Sequence, residues 1–246
     1  MNDFKFYPEN FNLEKTSIWS FPDHGYWATH NSKYRGNFSP YIPRNIILRY
    51  SKENDIVLDQ FLGGGTTLIE AKLLNRIGIG VDINPTAIDI SKKKLNFLTQ
   101  KHTKSYLGIG NASNLNFIPD NSIDLICTHP PYANIIKYSQ NQKDDLSLLT
   151  YEKFLLKMDQ VAKESYRVLK NNKYCAILIG DIRKNGYVKP LGLEILQIFL
   201  NNKFKLKEIA IKEQFNMKDT QKWKQAKNLN FLLLQHEYLF VFKKLS

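Results

Sequence analysis

Two short stretches carry residues whose types and spacing could do chemistry. The first, Asp59-Gln60-Phe61-Leu62-Gly63-Gly64-Gly65-Thr66-Thr67, opens with a carboxylate and runs into three consecutive glycines. Backbone N–H groups with no side chain in the way suit a ligand that carries both an ammonium and a carboxylate. Asp82 follows 23 residues after Asp59, and a carboxylate at a strand end can accept hydrogen bonds from both hydroxyls of a ribose. Together they describe a nucleoside joined to an amino acid. A dinucleotide fingerprint would need a third glycine where Leu68 stands, and a phosphate-binding loop would need a lysine after the glycines, which is absent. The second stretch is Thr128-His129-Pro130-Pro131-Tyr132. Its prolines lack N–H groups and fix φ, so they stiffen a turn, and the neutral imidazole beside them has one acceptor nitrogen.

The elements that position these stretches alternate. An apolar strand at Ile56-Val57-Leu58 leads through the glycines to a helix over 66–74. A second strand over 77–83 precedes a helix that starts with Pro85 in its first turn and runs to about Leu98. Strands over 106–110 and 123–128 follow, then a helix over 151–169, a strand over 174–180 and a helix over 191–200. Runs at 204–211 and 231–242 close the chain, separated by a polar, basic stretch. This β-α alternation predicts an α/β, doubly wound, mostly parallel sheet of seven strands with an antiparallel edge. Residues 1–45 are aromatic and polar with little periodicity, which predicts an irregular arm carrying short helical turns. No repeat or linker interrupts the rest, so the 246 residues read as one domain, with no separate target-recognition domain.

Composition sets the wider bounds. Hydrophobic residues make up 43% and aromatic residues 13%, which excludes a disordered or collagen-like chain. No window reaches the roughly 18 apolar residues of a membrane span, and the N-terminus has no secretory apolar core, so no membrane partner and a cytoplasmic location are expected. Cys127 and Cys175 sit in apolar runs as buried thiols, and no metal-ligand spacing is present. The 35 Lys+Arg against 23 Asp+Glu leave a net charge of +12, which suits a polyanionic partner.

Asp59-x-Phe61-x-Gly63-x-Gly65-Thr66-Thr67 resembles the cofactor loop of the S-adenosylmethionine-dependent DNA amino-methyltransferases, and Thr128-His129-Pro130-Pro131-Tyr132 is similar to their catalytic (Asp/Asn/Ser)-Pro-Pro-(Tyr/Phe/Trp) turn. The two motifs stand in the order of one class of that family and on the expected strands. The resemblance implies a Rossmann-like methyltransferase fold with S-adenosylmethionine as cofactor and duplex DNA as partner. It also implies a restriction–modification setting, with a cognate endonuclease as an open second partner. It assigns cofactor binding to Asp59, Phe61, Gly63, Gly65, Thr66, Thr67, Asp82 and Ile83, and to Asn111 and Ala112 after the third strand, where the family usually has an Asp. Thr29, His30 and Asn31 join them from the segment 27–43, which looks like the family's extra cofactor element. A side chain at Gly65 is expected to fill the ligand's space.

Thr128, His129, Pro130, Pro131 and Tyr132 are the expected catalytic residues. The Pro130 carbonyl and His129 would accept the two hydrogens of an exocyclic amine, and Tyr132 would stack on a base flipped out of the duplex. His129 departs from the family's pattern. Its Thr128 flank is closest to the Thr-Ser-Pro-Pro-Tyr form that accompanies N4-cytosine methylation, so cytosine N4 is expected. The alternatives are N6-adenine methylation of DNA, methylation of an RNA amine, and a non-catalytic nucleic-acid-binding module. Asp124, His30 and His236 also read as structural, and Asp181 as a support just outside the site. The basic segments 35–49 and 212–227 and the pair Arg183 and Lys184 are candidate phosphate contacts, and residues 133–150 are a candidate lid or base-reading loop.

Overall fold

The computed structural model describes residues 5–34, 36–132, 145–215 and 230–246. Two-residue strand β1 (Ile18–Trp19) and helix α1 (Tyr41–Tyr50) precede the alternating part: β2 (Ile56–Asp59), α2 (Thr66–Leu73), β3 (Ile77–Asp82), α3 (Pro85–Lys94), β4 (Ser105–Ile109), β5 (Ile123–Thr128), α4 (Tyr151–Val168) and β6 (Leu169–Ile179). A small hairpin, β7 (Ile182–Lys184) and β8 (Tyr187–Lys189), leads to α5 (Leu191–Asn201), β9 (Lys205–Glu213) and β10 (His236–Lys243).

Eight strands form one sheet in the order β1-β9-β10-β6-β5-β2-β3-β4. The five from β4 to β6 are parallel, and β10 lies antiparallel between β6 and β9. The expected seven-stranded α/β sheet is therefore present with one addition. The edge beyond the antiparallel pair is β1, which joins β9 in parallel.

Alternation along the central strands builds two cores. Leu58, Ile126, Cys175, Ile177 and Ile179 face one layer with Phe154 and Met158 of α4 and Phe199 of α5. Val57, Leu125, Cys127, Ala176 and Leu178 face the other with Ile42, Ile46 and Ile47 of α1. Helix α4 buries Phe154, Met158, Val161, Ala162, Ser165 and Val168, a stripe of helical period, and Thr150 caps it by accepting from the Lys153 N–H. Asn84 caps α3 in the same way, with Pro85 in the first turn.

The segment up to residue 45 is more ordered than its composition suggests, because one carboxylate gathers it. Glu70 on α2 is fully buried and accepts from Trp27 Nε1 at 2.6 Å and Arg44 Nη1 at 2.8 Å, with His30 Nε2 at 2.8 Å. Arg44 is thus an internal group, stacked by Phe11, and Arg49 is bonded to the Glu14 carbonyl. Arg44 is therefore not available to phosphate, which corrects that reading for this residue, and Arg35 lies outside the described residues. Helix α3 stops at Lys94, four residues short of expectation, since Leu95 already closes its last turn.

Removing one partner of a buried charged cluster leaves the others unpaired, typically at a cost of about 3–5 kcal/mol. Glu70→Ala is expected to lower unfolding free energy by about that amount in urea titration. Hydrogen exchange at the His30 amide, bonded to the Trp27 carbonyl, should accelerate with it.

Candidate active site

In this strand order β2 is flanked by β3 on one side and β5 on the other, so the turns after β2 and β5 open on one crevice at the sheet's switch point. Two cavities occupy it. The floor of the first is the glycine turn and the end of β3, with Phe61, Gly63, Thr66, Asp82, Ile83 and Asn84 in its wall. Gly110, Asn111 and Ala112 contribute from the end of β4, and His129 and Pro131 from the proline turn. The second is lined by Phe21, Asp23, His24, Tyr26, Pro130, Tyr132 and Glu237 among others. Gly36, Asn37, Phe38 and His129 belong to both.

The glycine turn is shaped by two left-handed residues, Gly63 at φ +49° and Gly65 at φ +79°. Gly63 N–H donates to Asp82 Oδ2 at 2.8 Å, and Asn84 N–H donates to Asp82 Oδ1 at 2.9 Å. These two bonds orient the carboxylate, and burial pushes its pKa above the ordinary value. Asn111 Oδ1 accepts from Ser113 N–H at 2.9 Å and from Ser113 Oγ at 2.8 Å. Its oxygen is used within its own turn, so its Nδ2 is the group left to offer a ligand. The residues fit a nucleoside: a half-buried carboxylate oriented by two backbone N–H groups and an amide donor line one cavity, while the N–H groups of Gly63, Gly64 and Gly65 are taken by Asp82, Asn37 and the Leu62 carbonyl.

Other expected cofactor residues stand behind that wall. Asp59 is 1% exposed and accepts from Thr128 Oγ1 at 2.7 Å and from Phe61 N–H at 3.1 Å. Thr67 Oγ1 donates to the Cys127 carbonyl. Gly65 lies outside the cavity, and a Cβ built on it would stand 2.8 Å from Ser91 Oγ of α3, so its lack of a side chain serves the turn and the α2–α3 contact. That corrects the reason expected from the sequence. His30 is spent on Glu70, Thr29 Oγ1 donates to the Lys94 carbonyl, and Asn31 receives the Asn37 amide on its carbonyl. None of the three lines the cavity. The arm contributes instead Tyr34, Gly36, Asn37 and Phe38, and Asn37 Oδ1 accepts from Gly64 N–H at 3.2 Å. Asp145 and Leu146 complete the wall.

In the proline turn, His129 Nε2 lies 3.3 Å from the Tyr132 hydroxyl, which donates to Glu237 Oε1 at 2.7 Å. Burial lowers the His129 pKa, as does Lys212, while Glu237 and the Gly36 backbone oppose them. Lys212 Nζ is 2.9 Å from Glu237 Oε2 and only 14% exposed, which corrects its reading as a phosphate contact. Asp124 is structural, accepting from Ile56 N–H and Lys170, and Asp181 caps α5 through Gly192 N–H. Cys127 and Cys175 are buried free thiols. Arg183 donates to the Gly186 and Leu232 carbonyls. Residues 133–144 of the candidate lid, and Lys222, Trp223, Lys224 and Lys227 of the second basic segment, lie outside the described residues. Among the described residues no cluster could hold a metal ion, and no helix is long and apolar enough to cross a membrane.

The family model described as DNA methylase (N6_N4_Mtase) matches residues 3–93 and 123–245. The chain belongs to this DNA methylase family. Its cofactor is S-adenosylmethionine. The type II methyltransferase M.HpaI of Haemophilus parainfluenzae is 40% identical over 81 residues, which cover 32% of this chain and 26% of that protein. M.MjaVI of Methanocaldococcus jannaschii is 33% identical over 106 residues, 43% of this chain and 53% of that one. The matched stretches thus span from about a quarter to about half of these relatives. In fold the chain is similar to an S-adenosylmethionine-dependent methyltransferase from Methanosarcina mazei, with TM-score 0.57 and 17% identity, covering 82% of this chain and 98% of that one. It is likewise similar to TrmN from Thermus thermophilus, with TM-score 0.60 and 17% identity, covering 86% and 50%.

Asp59 carries the pH consequence of this geometry. Burial raises its pKa to about 6, against the hydrogen bonds from Thr128, Thr67 and Phe61. Because the folded pKa lies above the unfolded value, the folded state binds more protons between about pH 4 and 6, and stability contributed by this group falls as pH rises through that window. Asp59→Asn is therefore expected to gain stability relative to the parent between pH 4 and 7, by up to about 3 kcal/mol, in urea titrations at both pH values.

Proposed function

We propose that the protein transfers a methyl group from S-adenosylmethionine to an exocyclic amine of a base in duplex DNA, with cytosine N4 as the acceptor. One observation carries the reading: His129 and the Gly36–Phe38 stretch are common walls of two cavities, one built on Asp82 and the glycine turn and the other on Tyr132. A donor in the first and a base in the second would meet at His129.

Bound S-adenosylmethionine supplies an electrophilic methyl carbon on a sulfonium. The chain's own residues do the remainder. Asp82 would accept from the ribose hydroxyls, the glycine turn would face the amino-acid end, and Asn111 Nδ2 would be the donor available to the adenine. Pro130 and Pro131 fix the turn so that the Pro130 carbonyl accepts one amino hydrogen, while His129 meets the amine from the shared wall. Alignment of the amine behind the methyl carbon supplies most of the acceleration, and acceptors on its N–H bonds favour the tetrahedral nitrogen of the transition state. Tyr132 and Phe38 give the extruded base aromatic surface, which offsets unpairing. Cytosine N4 is favoured over adenine N6 by the Thr128-His129-Pro130-Pro131-Tyr132 context, closest to the Thr-Ser-Pro-Pro-Tyr form. The relatives' names as type II methyltransferases support a restriction–modification setting with a cognate endonuclease.

Transfer of label from S-adenosylmethionine to duplex DNA, compared with tRNA and rRNA, tests the substrate class. Sequencing DNA from expressing cells for N4-methylcytosine and N6-methyladenine tests the base. Label in RNA alone would overturn the proposal. Asp82→Ala is expected to weaken cofactor binding by roughly 10- to 100-fold, the loss of hydrogen bonds to a charged group. Tyr132→Ala should leave that affinity within about threefold in calorimetry but lower DNA methylation about 10-fold or more, the scale of one base–aromatic stack. Equal losses of cofactor affinity in both variants would contradict the division between the cavities.

A further inference from the structure

The proline turn leans on a buried ion pair that its motif does not contain. Glu237 on β10 stands directly opposite Lys212 on β9, and both turn inward, with side chains 5% and 14% exposed. Glu237 uses its two oxygens separately. Oε2 takes Lys212 at 2.9 Å, and Oε1 accepts the Tyr132 hydroxyl at 2.7 Å, with His129 Nε2 3.7 Å away. Gly180, just past the end of β6, leaves room for this meeting, since a Cβ there would stand 3.2 Å from the Tyr132 hydroxyl and 3.3 Å from Glu237 Cγ. Two strands with no part in the cofactor cavity thus converge on the side chains at the base cavity.

We infer that the Glu237–Lys212 pair is the positioning element of the proline turn, holding the Tyr132 ring in place and setting the proton on His129. This rests on the reading of the turn as the site that meets the target amine. An ionised Glu237 draws the Tyr132 hydroxyl hydrogen to itself and fixes the ring's tilt by a charge-assisted hydrogen bond. The same charge stands 3.7 Å from the imidazole. His129 faces Glu237 from β10, Lys212 from β9, the Tyr132 hydroxyl from its own turn, and the Gly36 backbone and Phe38 ring from the arm. Asp23 and His24 share its cavity, and burial, His30 and Lys212 lower the His24 pKa while Asp23 opposes them. Glu237 is the anion in contact with the ring, so its removal leaves Lys212 acting on His129 alone.

The test is Glu237→Gln, read three ways. The His129 ring-proton titration followed by NMR should move to lower pH by about 1 to 3 pH units, the range for an opposite charge at this distance. Cofactor affinity by calorimetry should stay within about threefold. Methyl transfer to bulk genomic DNA from a non-expressing strain should fall about 10-fold or more, with its acid limb following the His129 titration downward. If Glu237→Gln fails to fold, Glu237→Gln with Lys212→Met removes both charges and leaves neither unpaired. Transfer should remain low in that variant because Tyr132 is no longer held by a charge-assisted bond. Unchanged His129 titration and unchanged transfer in the variant that folds would overturn the inference. So would a loss of cofactor affinity as large as the loss of transfer, which marks a merely structural pair. A shifted His129 titration in a protein whose parent methylates no DNA would instead overturn the proposed function and leave the pair's hold on the ring intact.

Discussion

Everything at the crevice depends on one contact between neighbouring strand ends, the hydrogen bond from Thr128 to Asp59. The glycine turn follows β2 and the proline turn follows β5, and nothing in either turn dictates where the other will be. Their spacing is fixed upstream, by the parallel register that sets Val57 against Leu125 and Leu58 against Ile126. Asp59 is kept in apolar surroundings where ionisation is disfavoured, so the contact is bought with stability. What it returns is geometric: Phe61 N–H, Thr67 and Thr128 converge on one carboxyl, and the two turns are held as one piece.

A second carboxylate does for the arm what Asp59 does for the strands. Glu70 lies one turn into the helix that the glycines begin, and it gathers Trp27, His30 and Arg44. Asn37 then reaches the glycine turn itself at Gly64. The wall shared by the two cavities is therefore tied to α2 at both its root and its tip. A movement of the arm would change the donor cavity and the base cavity together, and α2 is the element through which it would do so.

The central strands were legible because their apolar runs are short and bounded by turn residues, and because Pro85 and Thr150 stand where helices start. Helix α1 was not. It carries Pro43 and buries Arg44 and Asn45, a pattern that reads as polar and irregular until Glu70 is known to lie across from it. β1 has two residues and exists only by pairing with β9. Within the site, motif spacing found Gly63, Asp82, Asn111 and His129 in one cavity, since strand ends and turns follow from local sequence. Motif spacing could not tell a lining residue from a supporting one, so Asp59, Gly65 and Thr67 were read as contacts when they hold the turn from behind. Tyr34, Asn37 and Phe38 carry no local signal, because their place depends on how the arm folds back. Lys212 looked like surface charge until its cross-strand partner was seen.

An imidazole at the first position of the proline turn asks more of the fold than the serine, aspartate or asparagine it replaces. Those residues present a hydrogen-bond acceptor at neutral pH without further adjustment. A histidine accepts only when neutral, and through one nitrogen, so its environment must settle both its charge and its orientation. Burial and Lys212 push His129 toward the neutral form, while Glu237 and the Gly36 backbone push back. The Tyr132 hydroxyl at 3.3 Å and Glu237 Oε1 at 3.7 Å both face His129 Nε2, so the side chain assigned to the base and the carboxylate meet the imidazole together. The departure from the family's motif and the buried pair on β9 and β10 are in this sense one feature, because the residue that needs its charge managed and the residues able to manage it meet at a single hydroxyl.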